Sequence, residues 1–261
     1  MASVDHGLRQ ENAAEARFVA EVCEALDVPH RILPVAVPSG NVQAGARDAR
    51  YKALAGWAGE RGLDAVATAH HADDQAETLL MRLDRGSGLA GLTGVRPATE
   101  LCGVTVIRPL LNWRRIELEA LVGAAGLSPV RDSSNSDMRY DRARLRAAMA
   151  ALDLDIEGLA RSAELLGQAH DALASQAQER FERTARHVPE GIDLEGGRTD
   201  YLGIECVRLC LAQFGVTAPR SAVASMCERL ANGANASHGG ILVRPKGGVW
   251  SFRPEPPRKT G

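Results

Sequence analysis

The feature that most constrains the fold is an apolar strand pattern, DAVATA at 64–69, which runs directly into a polar helix start, HHADDQAET at 70–78. Further strand patterns and amphipathic helical segments flank it, at 12–26, 31–37, 43–62, 104–109 and 114–125. Strands separated by helices of about 10–15 residues form parallel sheets with helices on their faces. The sequence therefore predicts an α/β domain built on a parallel sheet over residues 1–125.

The pattern changes after residue 126. Residues 126–150 contain a loop-like stretch and a cluster of arginines, which predicts a linker. Residues 151–261 consist mainly of helix formers and end in a hairpin pattern around 240–252, so we expect a second, mostly helical domain.

Composition excludes several classes of protein. With 45% hydrophobic and 25% charged residues, the chain has the composition of a core-forming globular protein rather than a disordered one. It contains no run of about 18 apolar residues, which argues against a membrane span. The N-terminus lacks a signal-peptide pattern, and the five cysteines are scattered without a Cys-x-x-Cys pair. We therefore expect a cytoplasmic protein with reduced thiols and no zinc or iron–sulfur centre.

The overall charge is close to balanced, at −2 from 31 basic and 33 acidic residues. Proteins that bind nucleic acid through their overall field are usually more basic. Any contact with nucleic acid must therefore come from local clusters of arginine.

The strongest candidate site lies where the 64–69 strand becomes a helix, because ligands of open α/β sheets bind at the carboxyl ends of strands. His70, Asp74 and Glu77 fall at i, i+4 and i+7 and share one helix face. An imidazole near two carboxylates can bind Mg²⁺, bind an ammonium group or transfer a proton. The alternative is an acidic helix N-terminus, which explains Asp73 and Asp74 but not the histidine pair.

Two further segments have both a functional and a structural interpretation. The glycine-rich loop RGSGLAGL at 85–92 could hold phosphate through its N–H groups, or it could simply end a helix. The arginine cluster at 131–146 places Arg142 and Arg146 one helical turn apart, which suits phosphate binding. An exposed, salt-bridged charge cluster would have the same spacing.

Taken together, six motifs resemble the tRNA(Ile)-lysidine synthetase family of the N-type ATP pyrophosphatase (PP-loop) superfamily, over residues 4–152. They are VDHGLR at 4–9, ARDARY at 46–51, AHHADDQAET at 69–78, RGSGLAGL at 85–92, RPLL at 108–111 and DSSN at 132–135 with Tyr140 and Arg142. The resemblance implies an adenine nucleotide alpha hydrolase-like domain followed by a helical domain that binds the tRNA substrate.

The resemblance also implies a reaction. ATP would adenylate C2 of the wobble cytidine in a tRNA(Ile) with a CAU anticodon, and the ε-amine of free lysine would then displace AMP. The product, lysidine, changes the codon specificity from AUG to AUA. ATP and Mg²⁺ are the implied cofactors, and the family implies a homodimer with no membrane partner.

Roles for individual residues follow from the same resemblance. His70, Asp74, Glu77 and Arg142 are expected to be catalytic, with Asp74 and Glu77 as metal ligands. The residues expected to bind the nucleotide are Asp5, His6, His71 and Asp73. The residues expected to bind the tRNA or lysine substrate are Arg47, Arg50, Tyr51, Asp132, Asn135 and Arg146.

One motif of the superfamily, the pyrophosphate loop Ser-Gly-Gly-x-Asp-Ser, has no counterpart in this sequence. In the family it precedes the strand that VDHGLR resembles, so the expectation is an N-terminally truncated domain without its first strand and loop. Activity of the chain as given would then be impaired. The alternatives are an inactive tRNA-binding remnant or another PP-loop tRNA-modifying enzyme, such as a thiolase.

Overall fold

The structure is a computed structural model, and it describes residues 1–7, 10–36, 42–129 and 141–256. The chain divides into two compact units, Met1–Gly167 and Gln168–Gly261. This division falls later in the chain than the predicted linker of 126–150, part of which lies outside the described residues. The assignment of functional domains therefore stays a prediction.

The first unit contains the alternating strands and helices that the sequence predicts. Its elements are β1 (Ala2–Asp5), α1 (Gln10–Ala25), β2 (Arg31–Pro34), α2 (Val42–Glu60), β3 (Ala65–Ala67), α3 (Ala72–Asp84), α4 (Leu89–Leu92), β4 (Ala98–Leu101), β5 (Val104–Ile107), α5 (Arg115–Ala124) and α6 (Asp141–Ala151). β1 pairs in parallel with β2, β3 pairs in parallel with β5, and β4 adds an antiparallel edge to β5. The predicted α/β architecture with parallel strand pairs is confirmed.

The core of the first unit forms between α2 and these strands. Tyr51 and Leu54 of α2 are buried against Val66 of β3 and against Val104 and Val106 of β5. Alternate residues of a strand face the same side, so the residue after β5, Arg108, continues the buried face of Val104 and Val106. The carboxyl ends of β3 and β5 lie side by side, because the Thr68 N–H donates to the Ile107 carbonyl at 2.9 Å.

A long helix, α7 (Ile156–Thr184), spans the boundary between the units. It carries charged residues along its length, and none of the helices in the described ranges has both the length and the apolar composition that a membrane span requires.

The second unit combines helices with an antiparallel sheet. After α7 it contains β6 (Ala185–Val188), β7 (Gly191–Glu195), α8 (Tyr201–Ala212), α9 (Arg220–Ala231), β8 (Ala236–His238), β9 (Ile241–Lys246) and β10 (Val249–Pro254). The five strands pair in the order β6-β7-β10-β9-β8. The two helices and the β9–β10 hairpin agree with the sequence prediction, whereas β6, β7 and β8 were not predicted.

The core of the second unit is a single large apolar cluster. Cys206, Cys210 and Cys227 are buried in it with Phe252 and Trp250. Burial raises the pKa of the Cys227 thiol to about 11 and raises that of Cys210 further. These thiols therefore stay protonated and pack as small apolar side chains, as the spacing Cys206-x-x-x-Cys210 predicts.

Candidate active site at the start of α3

The candidate site begins where β3 ends and α3 starts. His71 is the N-cap of α3, with extended backbone angles, and its N–H donates to the Asp74 carboxylate at 3.0 Å. This contact is half of a capping box, so part of the acidic character of this turn is explained by helix capping. The two carboxylates of the turn also flank the His71 ring, at 3.5 Å from Asp73 and 3.6 Å from Asp74.

His70 is held at the carboxyl end of β3 by Thr68, the residue that follows this strand. Its Nδ1 lies 2.9 Å from the Thr68 hydroxyl. Burial lowers the pKa of His70, and Asp74 only partly offsets this effect. The imidazole is therefore neutral near pH 7 and can accept a proton.

The positive charges of three arginines also lower the pKa of His70. They are Arg108 at the end of β5, Arg47 on α2 and Arg142 on α6. Arg47 and Arg142 are exposed, whereas Arg108 is buried, with 5% exposed. Three elements thus contribute positive charge near His70, which suits an anionic ligand such as phosphate.

Glu77 is the most deeply buried charged residue of the site, at 2% exposed. Its two carboxylate oxygens accept hydrogen bonds from Arg146, from Nε at 2.5 Å and from Nη2 at 3.3 Å. Arg142 Nε lies 3.9 Å from Oε2 of the same carboxylate. The hydrogen bonds from Arg146 to Glu77 raise the pKa of that guanidinium. Arg142 and Arg146, the predicted i, i+4 pair on α6, therefore both form ion pairs with Glu77 of α3.

This arrangement bears directly on the predicted metal site. The carboxylate of Glu77 is occupied by two guanidinium groups, and the described part of the chain contains no cluster of three or more His, Cys, Asp or Glu side chains arranged to bind a metal ion. Glu77 does not fit the role of Mg²⁺ ligand while Arg146 holds it. Asp74 is the one predicted ligand whose carboxylate is not paired with an arginine in the described residues.

Asp73, which we expected to bind the nucleotide, caps another helix. Its carboxylate accepts the N–H of Arg115, the first residue of α5, at 2.8 Å. The guanidinium of Arg114 lies 3.6 Å from the same oxygen. The observed contacts of Asp73 hold α5 against α3, which is a structural role.

A second group of predicted residues lies at the carboxyl end of β1. Asp5 accepts the Gly7 N–H at 2.9 Å. Next to it, Arg50 of α2 contacts His6 Nε2, with Nε at 3.4 Å and Nη2 at 3.2 Å. The structure thus brings a predicted nucleotide-binding residue together with a predicted tRNA-binding residue.

The prediction that Tyr51 contacts tRNA needs correction. Tyr51 is 5% exposed and packs in the core between α2 and the strands. The guanidinium carbon of Arg47, which is exposed, lies over the Tyr51 ring at 5.0 Å from its centroid. An apolar ring at this position gains more from burial than from exposure to solvent, so Arg47 is the residue of this pair that a ligand can reach. The predicted sites Asp132 and Asn135 lie outside the described residues.

The glycine-rich loop at 85–92 uses several of its N–H groups to end α3 and to close a turn. The donating N–H groups and their acceptors are Gly86–Leu83, Ser87–Arg82, Gly91–Gly88 and Leu92–Gly88. Arg82 binds the carbonyls of Gly91 and Gly94, at 2.5 and 3.1 Å. The contacts of Gly86 and Ser87 support the helix-ending interpretation for the start of this loop.

Sequence reasoning missed the polar side chains that fix this region. Gln75 donates to the Val95 carbonyl at 2.7 Å and accepts the Val95 N–H at 2.5 Å. Arg108 donates to the Arg96 carbonyl at 2.7 Å and to the Thr99 hydroxyl at 2.6 Å. The available signal was an arginine at an inward position of a strand, directly before a proline.

Comparison with known proteins gives a consistent family. A model of the PP-loop domain matches residues 1–152. The tRNA(Ile)-lysidine synthase of Novosphingobium aromaticivorans is 42% identical over 100% of this chain and 82% of its own length. The enzyme of that name from Methylobacterium nodulans is 39% identical over 100% of this chain and 84% of its own length.

The fold is also similar to that of solved structures. A U34-tRNA thiolase from Methanococcus maripaludis matches with a TM-score of 0.50 and 20% identity, covering 64% of this chain and 60% of that chain. At this identity the match shows a shared fold and nothing about chemistry.

Proposed function

Because the chain belongs to the tRNA(Ile)-lysidine synthase family and carries its PP-loop domain, we propose that it converts the wobble cytidine of tRNA(Ile) to lysidine with ATP. The observation that carries the proposal is similarity across the whole chain to enzymes of that name. A half-buried imidazole, a carboxylate and several arginines at the carboxyl edge of the sheet are consistent with this chemistry.

The reaction has two steps. The cytidine O2 attacks the α-phosphorus of ATP, so an O–P bond forms and pyrophosphate leaves. The ε-amine of lysine then attacks C2, the C2–O bond breaks, AMP departs with the oxygen, and the nitrogen loses a proton. Activation turns a poor leaving group into a good one, and positioning brings the amine to it.

The residues around His70 have distinct roles in this scheme. The exposed guanidinium groups of Arg47 and Arg142 bind phosphate oxygens of ATP or of the tRNA. Asp74, with a side chain 17% exposed, binds the ammonium group of lysine before it reacts. Neutral His70, beside Asp74, accepts the proton that the ammonium group loses as it becomes the attacking amine, and the proton that the nitrogen loses after the attack passes to solvent. Glu77 and Arg146 position α6, which carries Arg142, against α3.

Mg²⁺ is expected to accompany ATP. Since Glu77 does not fit as a ligand, a metal brought by the phosphates would find Asp74 as the remaining predicted carboxylate in the first step, before the lysine ammonium binds there in the second. Mg²⁺ is commonly bound by one or two carboxylates together with substrate phosphates. No step of the scheme above depends on it.

The proposal also covers the substrates, the cellular location, the oligomeric state and the roles of the domains. The substrates are a tRNA(Ile) with a CAU anticodon and free lysine, and the protein acts in the cytoplasm as a homodimer. Residues 1–125 form the catalytic domain, 126–150 the linker with the arginine cluster, and 151–261 the domain that binds tRNA.

The test is incorporation of labelled lysine into a tRNA(Ile) transcript with a CAU anticodon, using protein purified from its own cell and ATP. We expect one lysine per tRNA, released as lysidine on nuclease digestion and identified by mass. A matched transcript with uridine at the wobble position should incorporate none. Equal labelling of both transcripts, or none of either, would contradict the proposal.

The same assay separates the alternatives. A tRNA-binding remnant would bind both transcripts in a salt-dependent manner without incorporating lysine. A thiolase would transfer sulfur, and the absence of a Cys-x-x-Cys pair from the sequence argues against that activity.

A further inference from the structure

A buried nitrogen at the carboxyl end of β1 has an unusual environment. His6 Nδ1 is buried and has no hydrogen-bond partner among the described residues. The other ring nitrogen, Nε2, faces the Arg50 guanidinium, with Nε at 3.4 Å and Nη2 at 3.2 Å. The nearest carboxylate in sequence, Asp5, accepts the Gly7 N–H instead.

The contact with Arg50 determines which nitrogen of the His6 ring carries the proton. A guanidinium has five donors and no acceptor, so Nε2 must present its lone pair to Arg50. A histidine with a lone pair on Nε2 is neutral and carries its proton on Nδ1. The charged groups that act on His6 are Arg50 on α2 and Asp5 on β1. Burial and then Arg50 lower the pKa of His6, whereas Asp5 opposes the shift.

The Nδ1–H is therefore a buried donor without an acceptor in the described residues. Buried donors in native proteins are almost always paired, and ligands of open α/β sheets bind beyond the carboxyl ends of the strands. His6 follows β1 directly, so an oxygen of a bound ligand is the natural acceptor.

We propose that Arg50 is a positioning residue that holds His6 as the Nδ1–H tautomer, so that this N–H donates to an oxygen of the bound nucleotide. The identity of the ligand rests on the proposed function, whereas the tautomer does not. Two of the Arg50 nitrogens face His6, which gives this arginine a role inside the protein beyond the predicted contact with tRNA.

The first experiment is NMR on the full chain labelled with ¹⁵N-histidine. We expect the wild-type His6 to show a protonated Nδ1, an unprotonated Nε2 and a pKa below 6.5. In Arg50→Met, the pKa should rise towards 6.5 and the Nε2–H tautomer should appear. Lys52→Met, on the same helix and paired with Asp48 in solvent, is the matched control and should change neither.

Two results would overturn the positioning role. One is a wild-type His6 protonated on Nε2, and the other is an unchanged tautomer in Arg50→Met. If Arg50→Met does not fold, Arg50→Gln takes its place, because glutamine keeps an N–H donor at this position but removes the positive charge. The pKa of His6 should then still rise above its wild-type value. A tautomer and pKa identical to wild type in Arg50→Gln would also contradict the proposal.

The second experiment adds ATP to the same labelled samples. We expect the Nδ1–H resonance of His6 to shift on ATP binding. We also expect ATP to bind about tenfold more weakly to Arg50→Met and to His6→Ala, with no further loss in the double variant. An ATP-independent Nδ1 resonance would overturn the nucleotide as acceptor and leave the tautomer result standing. This outcome is separate from the lysidine assay, which measures incorporation.

Discussion

The two units of the molecule bury different kinds of side chain. Within the described residues, all the buried polar or charged side chains lie in the first unit, namely Gln75, Glu77, Thr78, Thr93 and Arg108. The second unit buries one continuous apolar cluster around its sheet and two helices. Burying a charge is unfavourable unless it is paired. The difference indicates that the first unit gives up apolar burial to build a charged site, whereas the interior of the second unit stays apolar.

The largest expected effect tests the apolar unit. Phe252 is completely buried in the cluster of the second unit. Replacing it in Phe252→Ala should lower the free energy of unfolding by about 3–5 kcal/mol, because a cavity replaces the ring. Urea denaturation followed by circular dichroism measures this change.

The matched aromatic control lies in the other unit. Trp113 is 42% exposed, so Trp113→Ala should change the free energy of unfolding by less than about 1 kcal/mol. Equal losses in the two variants would show that burial of Phe252 in the apolar cluster contributes no more to stability than an exposed ring does.

The next effect tests the charged pair that distinguishes the first unit. Glu77→Gln removes the negative charge that accepts the hydrogen bonds of Arg146, and we expect a loss of about 2 kcal/mol in the free energy of unfolding. Lysidine formation should fall more than stability accounts for, because α6 and Arg142 lose their attachment to α3. Urea unfolding and the lysine incorporation assay measure the two quantities.

Glu157→Gln is the control for this pair, since Glu157 is 74% exposed and lies 3.5 Å from Arg114. An exposed pair of this kind contributes about 0–1 kcal/mol. Should Glu77→Gln behave like Glu157→Gln in both assays, the buried pair would have no special role.

A smaller effect concerns the neutral polar contact that holds the glycine-rich loop. Gln75→Leu removes both hydrogen bonds to Val95 and should cost about 1–2 kcal/mol. Hydrogen exchange of the amides at 86–95 should increase. Gln178→Leu, which breaks an exposed contact to Glu182 on α7, should leave that exchange unchanged. Unaltered protection of the loop in Gln75→Leu would show that Arg82 alone holds it.

The smallest effect is a pH dependence. Burial lowers the pKa values of His6, His30 and His70, all in the first unit. The unfolded chain then binds more protons than the folded one below pH 6.5. The free energy of unfolding should therefore fall as the pH drops from about 7 to 5, and it should recover above pH 6.5.

Urea midpoints at several pH values test this slope. His70→Gln should flatten it, whereas His187→Gln, an exposed histidine of the second unit, should not. A slope unaffected by His70→Gln would show that other groups carry the pH dependence.

How far the sequence predicts this molecule depends on the distance over which residues interact. The start of α3 at Ala72 and the β9–β10 hairpin follow from local patterns, and the sequence predicts both. The pairing of Glu77 with Arg146 joins residues 69 positions apart, which spacing on one helix cannot reveal. The short strand β8 has only three residues, too few for an alternating pattern to identify. The burial of Tyr51 was missed because its motif was interpreted by resemblance rather than by its helical face.

The central claim is that this protein makes lysidine, and the most direct measurement is the wobble nucleoside of tRNA(Ile) from its own cell. The tRNA is isolated before and after depletion of the protein, and the nucleoside is identified by mass. We expect lysidine before depletion and unmodified cytidine accumulating afterwards, with restoration by the wild-type chain but not by Glu77→Gln. Lysidine that persists unchanged in fully depleted cells would contradict the account.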